Sequence, residues 1–101
     1  DNDLVRMEEY YRQTFSDFNS KYYYQAGLKL AEYLHSQQRS EEAFEVTAIL
    51  QKNIPAFPDA YLLEARMGIK LGEGRRVKET IKRGLMYNPD NSDLIKLKGR
   101  M

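Results

Sequence analysis

The sequence contains no cysteine, no tryptophan, three prolines and a single histidine among 101 residues. Without cysteine, the chain forms no disulfide and offers no thiolate to a metal ion. The lone histidine, His35, has no second histidine or placed nucleophile to complete a metal site or a catalytic triad. We therefore predict a protein that is not an enzyme, carries no cofactor and takes no small-molecule substrate.

Long apolar runs are also missing. No segment approaches the ~20 consecutive apolar residues that a membrane-spanning helix needs, and no signal peptide is visible. The chain begins with Asp1 rather than methionine, which indicates a trimmed or processed form. The compartment is left open: we favour the cytoplasm, and the trimmed N-terminus keeps a periplasmic or membrane-tethered context as the alternative.

Charged residues are abundant, at 31% of the chain, and unevenly spread. Residues 1–65 carry six Lys/Arg and eleven Asp/Glu, whereas residues 66–101 carry ten and four. Such an asymmetry can orient an acidic partner towards the C-terminal end. The alternative interpretation is a pair of solvated helix surfaces of opposite sign.

A repeated pattern organises the chain. Ala26, Ala31, Ala43 and Pro55 recur as Ala60, Ala65, Val77 and Pro89, with the same offset each time. Each segment contains two apolar patterns with helical spacing, separated by a short turn and closed by proline, which cannot continue a helix. A period near 34 with two helices per unit is typical of a helical solenoid.

The spacing of apolar residues predicts six helices. They cover about residues 3–15, 21–37, 40–52, 58–71, 75–87 and 92 onwards. The predicted N-caps are Asn19 or Ser20, Ser40, and Asn91 or Ser92. Pro58 suits a first helical turn, and Gly72 suits a C-cap.

The same spacing predicts the buried side chains. The second helix would bury Tyr24, Gly27, Leu30, Ala31 and Leu34, and the third Ala43, Phe44, Val46, Thr47, Ile49 and Leu50. The fifth would turn Val77, Ile81, Leu85 and Met86 inward and Arg75, Arg76, Lys78, Lys82 and Arg83 outward. Gly84 costs about 1 kcal/mol relative to alanine inside a helix, so we expect another helix to approach closely there.

These features resemble the tetratricopeptide repeat (TPR) family over residues 24–91. The family has small residues at the eighth and twentieth positions of a repeat and proline at the thirty-second. Those positions hold Ala31, Ala43 and Pro55 in residues 24–57, and Ala65, Val77 and Pro89 in residues 58–91. Residues 1–20 form a flanking helix and turn, and residues 92–101 a capping helix or partial third repeat. Gly27, Glu64 and Gly68 depart from the pattern, which usually has an aromatic residue, leucine and tyrosine there.

The resemblance implies an all-α fold, a right-handed superhelix of antiparallel helix pairs in a single domain. A plain helical bundle is the alternative. The resemblance also implies a scaffold or adaptor module that binds a peptide or helix of a partner protein in a concave groove. The first helix of each pair would line that groove.

Groove positions follow from the resemblance. They hold Gln25, Leu28, Glu32, His35 and Ser36 in the first repeat, Asp59, Leu62, Arg66, Ile69 and Lys70 in the second, and Asp93, Lys96 and Arg100 in the partial third. Both basic pairs in this set are spaced four residues apart, so each shares one helix face. We expect them to receive an acidic segment of a partner; an ordinary solvated surface is the alternative.

Three further possibilities stay open at the level of sequence. The tyrosines at positions 10, 11 and 22–24 either pack the first helix on the second or form a protein-facing patch. Exposed repeat ends could pair two copies of the chain. The basic C-terminal half, with Tyr87 and the Arg75–Arg76 pair, is an alternative site for nucleic acid.

Overall fold

Short turns built from Gly, Pro, Asn and Ser separate the helical patterns, and the computed structural model places helix ends at these turns. It describes residues 2–100, which form six α-helices and no strand. The helices are α1 (Asn2–Phe15), α2 (Tyr23–Ser36), α3 (Ser40–Asn53), α4 (Pro58–Leu71), α5 (Gly74–Tyr87) and α6 (Ser92–Gly99). The predicted all-α fold is confirmed, and the predicted helices match those observed, with small differences at their ends.

Neighbouring helices pack against one another. α1 packs on α2, α4 on α5, and α5 on α6. Only Gly72 and Glu73 lie between α4 and α5. Because so short a connection reverses the chain, α4 and α5 form an antiparallel helical hairpin.

The chain divides into two compact units, Asp1–Val46 and Thr47–Met101, named below the N-terminal unit and the C-terminal unit. The division falls inside α3, whereas the predicted repeat boundary lies between residues 57 and 58. The second half of α3 belongs with the later helices because Thr47 and Gln51 both hydrogen-bond to Glu64 of α4.

The period of the sequence reappears in the backbone hydrogen bonds of the turns. After α2, the N–H of Arg39 donates to the carbonyl of Leu34 at 2.8 Å. After α4, the N–H of Glu73 donates to the carbonyl of Gly68 at 2.9 Å. In both, the donor follows the acceptor by five positions, as in the Schellman motif that closes many helices.

Each of these two turns passes through one residue in the left-handed region, at equivalent positions of the two repeats. They are Gln38, with φ 61°, and Gly72, with φ 73°. The prediction of Gly72 as a C-cap is confirmed. Gln38 was not predicted in this role because glycine, the usual signal for this conformation, is absent there.

The turns after α3 and α5 match as well. In each, the first N–H beyond the helix, that of Ile54 or Asn88, donates at 2.9 Å to the carbonyl four positions earlier. Pro55 or Pro89 follows at once and ends the hydrogen-bond ladder because it has no N–H. The Tyr61 hydroxyl donates to the carbonyl oxygen of Pro55 at 2.8 Å, and burial raises the pKa of this phenol.

The predicted N-caps have mixed outcomes. The Asn91 side chain accepts the N–H of Leu94 at 3.0 Å, so this cap is confirmed. The prediction for α2 is wrong, because that helix begins at Tyr23 after an N-cap without a side-chain bond. Ser20 instead accepts the N–H of Tyr22 at 3.2 Å and shapes the preceding turn.

A cluster of seven buried side chains forms the core of the C-terminal unit: Tyr61, Leu62, Ala65, Val77, Ile81, Leu94 and Leu97. Gly84 lies against it, and a Cβ at Gly84 would be 3.0 Å from atoms of both Tyr61 and Leu94. Glycine therefore allows the close approach of α5 to α4 and α6 that the sequence predicted.

Three side chains predicted to be buried are exposed: Tyr24, Ile49 and Met86. Tyr23, only 4% exposed, takes the place predicted for Tyr24. Each exposed residue adjoins one that is at least partly buried, and a helix turns by about 100° per residue, so a side chain at the edge of the buried face can point to solvent while its neighbour packs inside. Apolar character alone did not decide between them.

Aromatic contacts around Tyr23 pack α1 against α2. The Phe15 ring stacks on Tyr23 at 4.8 Å between centroids, and Phe18 meets it edge-on at 5.1 Å. Such pairs add stability beyond their buried area.

One guanidinium connects α1 with the turn before α3. Arg39 donates to both carboxylate oxygens of Glu8, at 2.8 and 3.0 Å, and to both of Glu42, at 2.6 and 3.0 Å. Arg12 donates to Glu8 at 2.8 Å. The hydrogen bonds from Arg39 and then from Arg12 lower the pKa of Glu8 from 4.5 to about 2.

Candidate protein-interaction surface

The exposed side of α4 carries three of the predicted groove residues. Arg66, Ile69 and Lys70 follow one another at spacings of three and one, so they lie within a single turn of the helix. Ile69 is 48% exposed, and both cations are exposed. Leu62 is different: it belongs to the core cluster at 5% exposure and offers almost no surface to a partner.

Two further cations lie at the end of the C-terminal unit. Lys96 is exposed on α6, and Arg100 is exposed directly after it. Arg100 keeps a right-handed helical conformation, and its N–H bonds to the carbonyls of Leu97 and Lys98. The backbone therefore continues its helical course, and Arg100 stays one turn from Lys96.

These four cations, Arg66, Lys70, Lys96 and Arg100, are named the cation set. Within residues 2–100, no carboxylate forms an ion pair with any of them. Their charge is therefore available to an anionic partner.

The remaining predicted groove residues lie mainly on α2, in the N-terminal unit. Gln25 and Glu32 are exposed, and Leu28 and His35 are half-buried. The Glu32 carboxylate lies 4.0 Å from the Lys29 ammonium. The predicted groove residues are thus divided between the two units, and the Lys and Arg residues among them all belong to the C-terminal unit.

His35 has a specific neighbour. Its Nδ1 lies at hydrogen-bond distance, 3.1 Å, from the hydroxyl of Ser40, the first residue of α3. The histidine, placed by the resemblance among the groove residues, therefore contacts the start of the following helix.

The tyrosine-rich segment has both buried and exposed members. Tyr23 packs inside, as described above, whereas Tyr10 and Tyr22 are more than half exposed. The Lys21 ammonium lies 5.0 Å from the centroid of the Tyr22 ring, a cation–π distance.

A buried carboxylate was missed by the prediction of functional residues. Glu64 is 3% exposed. Its Oε1 accepts from the Thr47 hydroxyl at 2.8 Å and from the Gln51 amide at 2.9 Å. Its Oε2 accepts from the Thr80 hydroxyl at 2.7 Å and from the Arg83 guanidinium at 3.3 Å. These hydrogen bonds join α3, α4 and α5, and we name this group the Glu64 network.

The sequence does contain a signal for the Glu64 network. Glu64 occupies the position of the second repeat that corresponds to Leu30 in the first, and Thr80 the position that corresponds to Val46. The second repeat therefore replaces two buried apolar residues of the first with a carboxylate and a hydroxyl. A joint change at two core positions indicates that the two polar groups meet.

Two arginines predicted to point outward turn towards this network. Arg83 hydrogen-bonds to Glu64, and Arg76 donates to Glu73 at 3.0 Å and lies 4.0 Å from Glu64. They line a polar cleft of about 570 Å³ together with Arg75. Because carboxylates face Arg76 and Arg83, the charge of this side of α5 is largely compensated.

Among residues 2–100, no group of three or more potential ligand side chains is arranged to hold a metal ion. No helix in the described part of the chain has both the length and the apolarity to cross a bilayer.

Comparisons with family models, with curated proteins and with solved structures find no match for this chain.

Proposed function

We propose that the chain is a protein-interaction module of TPR type whose C-terminal unit binds an acidic segment of a partner protein through the cation set. Two features support this assignment. The turn geometry recurs with the period of the sequence pattern, and α4 and α5 form a helical hairpin. The resemblance of the sequence to the TPR family rests on this same period.

The observation that carries the proposal is the state of the four cations. All are exposed and lack a carboxylate partner in residues 2–100. Arg76 and Arg83, on the other hand, are held by carboxylates of their own unit. Arginine offers paired donors to a carboxylate, and lysine acts as a point charge. Ile69, beside Arg66 and Lys70, adds an apolar contact.

A peptide is better supported than a nucleic acid. The nucleic-acid alternative relied on the Arg75–Arg76 pair, and Arg76 lies against both Glu73 and Glu64. Nearby carboxylates repel phosphate and weaken the electrostatic attraction that dominates non-specific nucleic-acid binding.

The test is a titration of the full chain with a fluorescent synthetic peptide that alternates glutamate and serine, followed by anisotropy. Reversing both α4 charges, Arg66→Glu with Lys70→Glu, should weaken binding about tenfold, since each exposed ion pair contributes up to ~1 kcal/mol. The dependence on salt should also become shallower, because fewer charges attract the peptide.

The matched control is the double reversal Lys52→Glu with Arg75→Glu, which changes net charge equally outside the cation set. It should leave the affinity within about twofold. If both variants lost the same affinity, the peptide would be responding to net charge and the proposal would fail. Tighter binding of an oligothymidine than of the peptide would replace the proposed function with nucleic-acid binding.

A further inference from the structure

A second surface of the C-terminal unit lies between α5 and α6. Six side chains line a groove of about 630 Å³: Lys78, Ile81, Lys82, Leu85, Met86 and Lys98. Ile81 belongs to the core cluster and Leu85 packs against it. Met86 is 71% exposed. The groove therefore has an apolar floor that is continuous with the core.

Lysines surround this apolar floor. Lys78 and Lys82 lie one helical turn apart on α5, and Lys98 comes from α6. In the described part of the chain, none of the three forms an ion pair. Arg76 and Arg83 are held by carboxylates, so two of the three α5 cations without an ion pair in the described residues, Lys78 and Lys82, lie at this groove, and the third is Arg75.

We propose that this groove binds an amphipathic helix of a partner protein, with apolar side chains on the floor and carboxylates beside the three lysines. The charge of the rim selects acidic flanks, and the exposed methionine suits an adaptable apolar contact. The proposal concerns a different surface from the cation set and does not depend on it.

The spacing of the lining residues favours a helix over an extended peptide. Positions 78, 82 and 86 form one row along α5, and positions 81 and 85 form a second. Rows with a spacing of four positions form ridges, and a second helix packs its own side chains into the grooves between such ridges. The 14 residues of α5 span about 21 Å, room for a helix of up to roughly four turns.

The shape of the surface favours a protein over a bilayer. A membrane-binding helix presents a convex apolar face that inserts between lipids. Here the apolar side chains line a concave groove, with the buried Ile81 and the partly buried Leu85 at its base and three lysines among its lining residues. A partner helix fills such a groove with side chains, whereas a flat lipid surface reaches mainly the rim.

The probe is a synthetic helical peptide of roughly three turns, with leucines along one face and glutamates on both sides of them, labelled for anisotropy. One control peptide carries lysine in place of glutamate, and another carries serine in place of leucine. We expect the first peptide to bind the full chain and both controls to bind at least about tenfold more weakly.

Variants of the protein locate the site. Reversing two rim charges, Lys78→Glu with Lys82→Glu, should weaken binding of the leucine–glutamate peptide about tenfold. Met86→Ser should weaken it about fivefold through loss of apolar contact. Arg75→Glu, on α5 but outside the groove, should change it less than about twofold, and circular dichroism checks that each variant keeps its helices. The peptide should also bind the Arg66→Glu/Lys70→Glu variant normally, which separates this proposal from the proposed function.

Several outcomes would overturn the inference. Equal weakening by Arg75→Glu would show that the peptide senses net charge only. If the control peptide with lysine in place of glutamate bound equally well, the three lysines of the groove would have no part in selecting the partner. Tighter binding to phosphatidylserine vesicles than to the peptide, lost in the rim variant, would make the occupant a membrane. If light scattering showed a dimer that dissociates in the Met86→Ser variant, the occupant of the groove would be a second copy of this chain.

Discussion

Glu64 shows how one residue changes the energetics of the C-terminal unit. An ionised carboxylate at this depth has lost most of its water, which is costly unless hydrogen bonds replace it. Here Thr47, Gln51, Thr80 and Arg83 supply four donors. Thr47 and Thr80 are fully buried, so neither hydroxyl can turn to bulk water if the carboxylate is removed.

Replacing Glu64 with leucine should therefore destabilise the chain even though it puts an apolar residue into the core. We expect Glu64→Leu to lower the free energy of unfolding by about 3 kcal/mol, the cost of removing one partner from a buried polar cluster. Urea denaturation followed by circular dichroism measures it. Glu79→Gln, an exposed change on α5 beside the same cleft, should stay within about 0.5 kcal/mol of the parent protein.

The triple variant Thr47→Val/Glu64→Leu/Thr80→Val distinguishes unsatisfied polar groups from simple misfit. Replacing both hydroxyls along with the carboxylate removes the donors that have lost their Glu64 acceptor, so the triple variant should be more stable than Glu64→Leu alone. If the triple variant were the less stable of the two, shape rather than hydrogen bonding would explain the loss.

At the level of secondary-structure elements, the turns determine how the helices follow one another. The turns after α2 and α4 have different residues in the left-handed position, Gln38 and Gly72, yet they close with the same hydrogen bond. The turn after α2 also carries Arg39, whose guanidinium holds both Glu8 of α1 and Glu42 of α3. This contact fixes α1 within the N-terminal unit.

The Glu8 contact should make stability depend on pH in the acid range. The pKa of Glu8 is about 2 in the folded chain, below its ordinary value of 4.5. A lowered pKa means that the folded state favours the charged form, so its contribution is complete above pH 4.5 and disappears as the pH falls towards 2. Glu8→Gln should lower the free energy of unfolding at about pH 7 by about 1 kcal/mol, since the carboxylate is partly solvated.

Thermal unfolding from neutral pH down to about pH 2 provides the measurement. The difference between the parent protein and Glu8→Gln should shrink below pH 4.5 and approach zero near pH 2. Glu9→Gln is the neighbouring control, because Glu9 forms no ion pair within residues 2–100. A pH-independent difference for Glu8→Gln would contradict the role assigned to the Arg39 contact.

For the whole molecule, α3 is the element that belongs to both compact units. It runs without interruption from Ser40 to Asn53, while the division between the units falls between Val46 and Thr47. Its first half carries the buried Ala43 and Phe44, and its second half contributes to the Glu64 network. The chain therefore passes from one unit to the other within a single continuous helix.

A break in α3 at this point should destabilise both units. Ala48 is exposed in the middle of α3, and Ala48→Pro should cost about 3 kcal/mol or more because proline removes a backbone hydrogen bond and clashes with the preceding turn. Native-state hydrogen exchange should show lost protection in α2 and in α5 alike. Ala48→Ser should leave both largely protected, and a loss confined to one unit would mean that the two fold independently.

The predictable part of this molecule was its local structure. Spacing of apolar residues identified all six helices of the described chain, and Pro58, Gly72 and Asn91 marked helix ends correctly. Each of those signals acts through the backbone of a few neighbouring residues. The predictions failed where two neighbours had the same character, as with Tyr23 and Tyr24, because either could have faced the core.

Sites formed by residues that are far apart in the sequence were not predicted. Glu64, Thr47 and Thr80 come from three helices, and the guanidinium groups of Arg76 and Arg83 lie within 4.0 Å of the Glu64 carboxylate although both side chains remain partly exposed. The cation set was chosen by resemblance and is left uncompensated in the described residues. The groove between α5 and α6 was not predicted: five of its lining residues belong to α5, but the sixth, Lys98, joins them only when α6 packs on α5.

The sequence by itself determined the helices, their turns and the period of the repeat, since these depend on hydrogen bonds and apolar spacing along short stretches of chain. Only the tertiary structure decided which charges are neutralised and which face solvent, because the pairing of charges depends on distances between side chains on different helices.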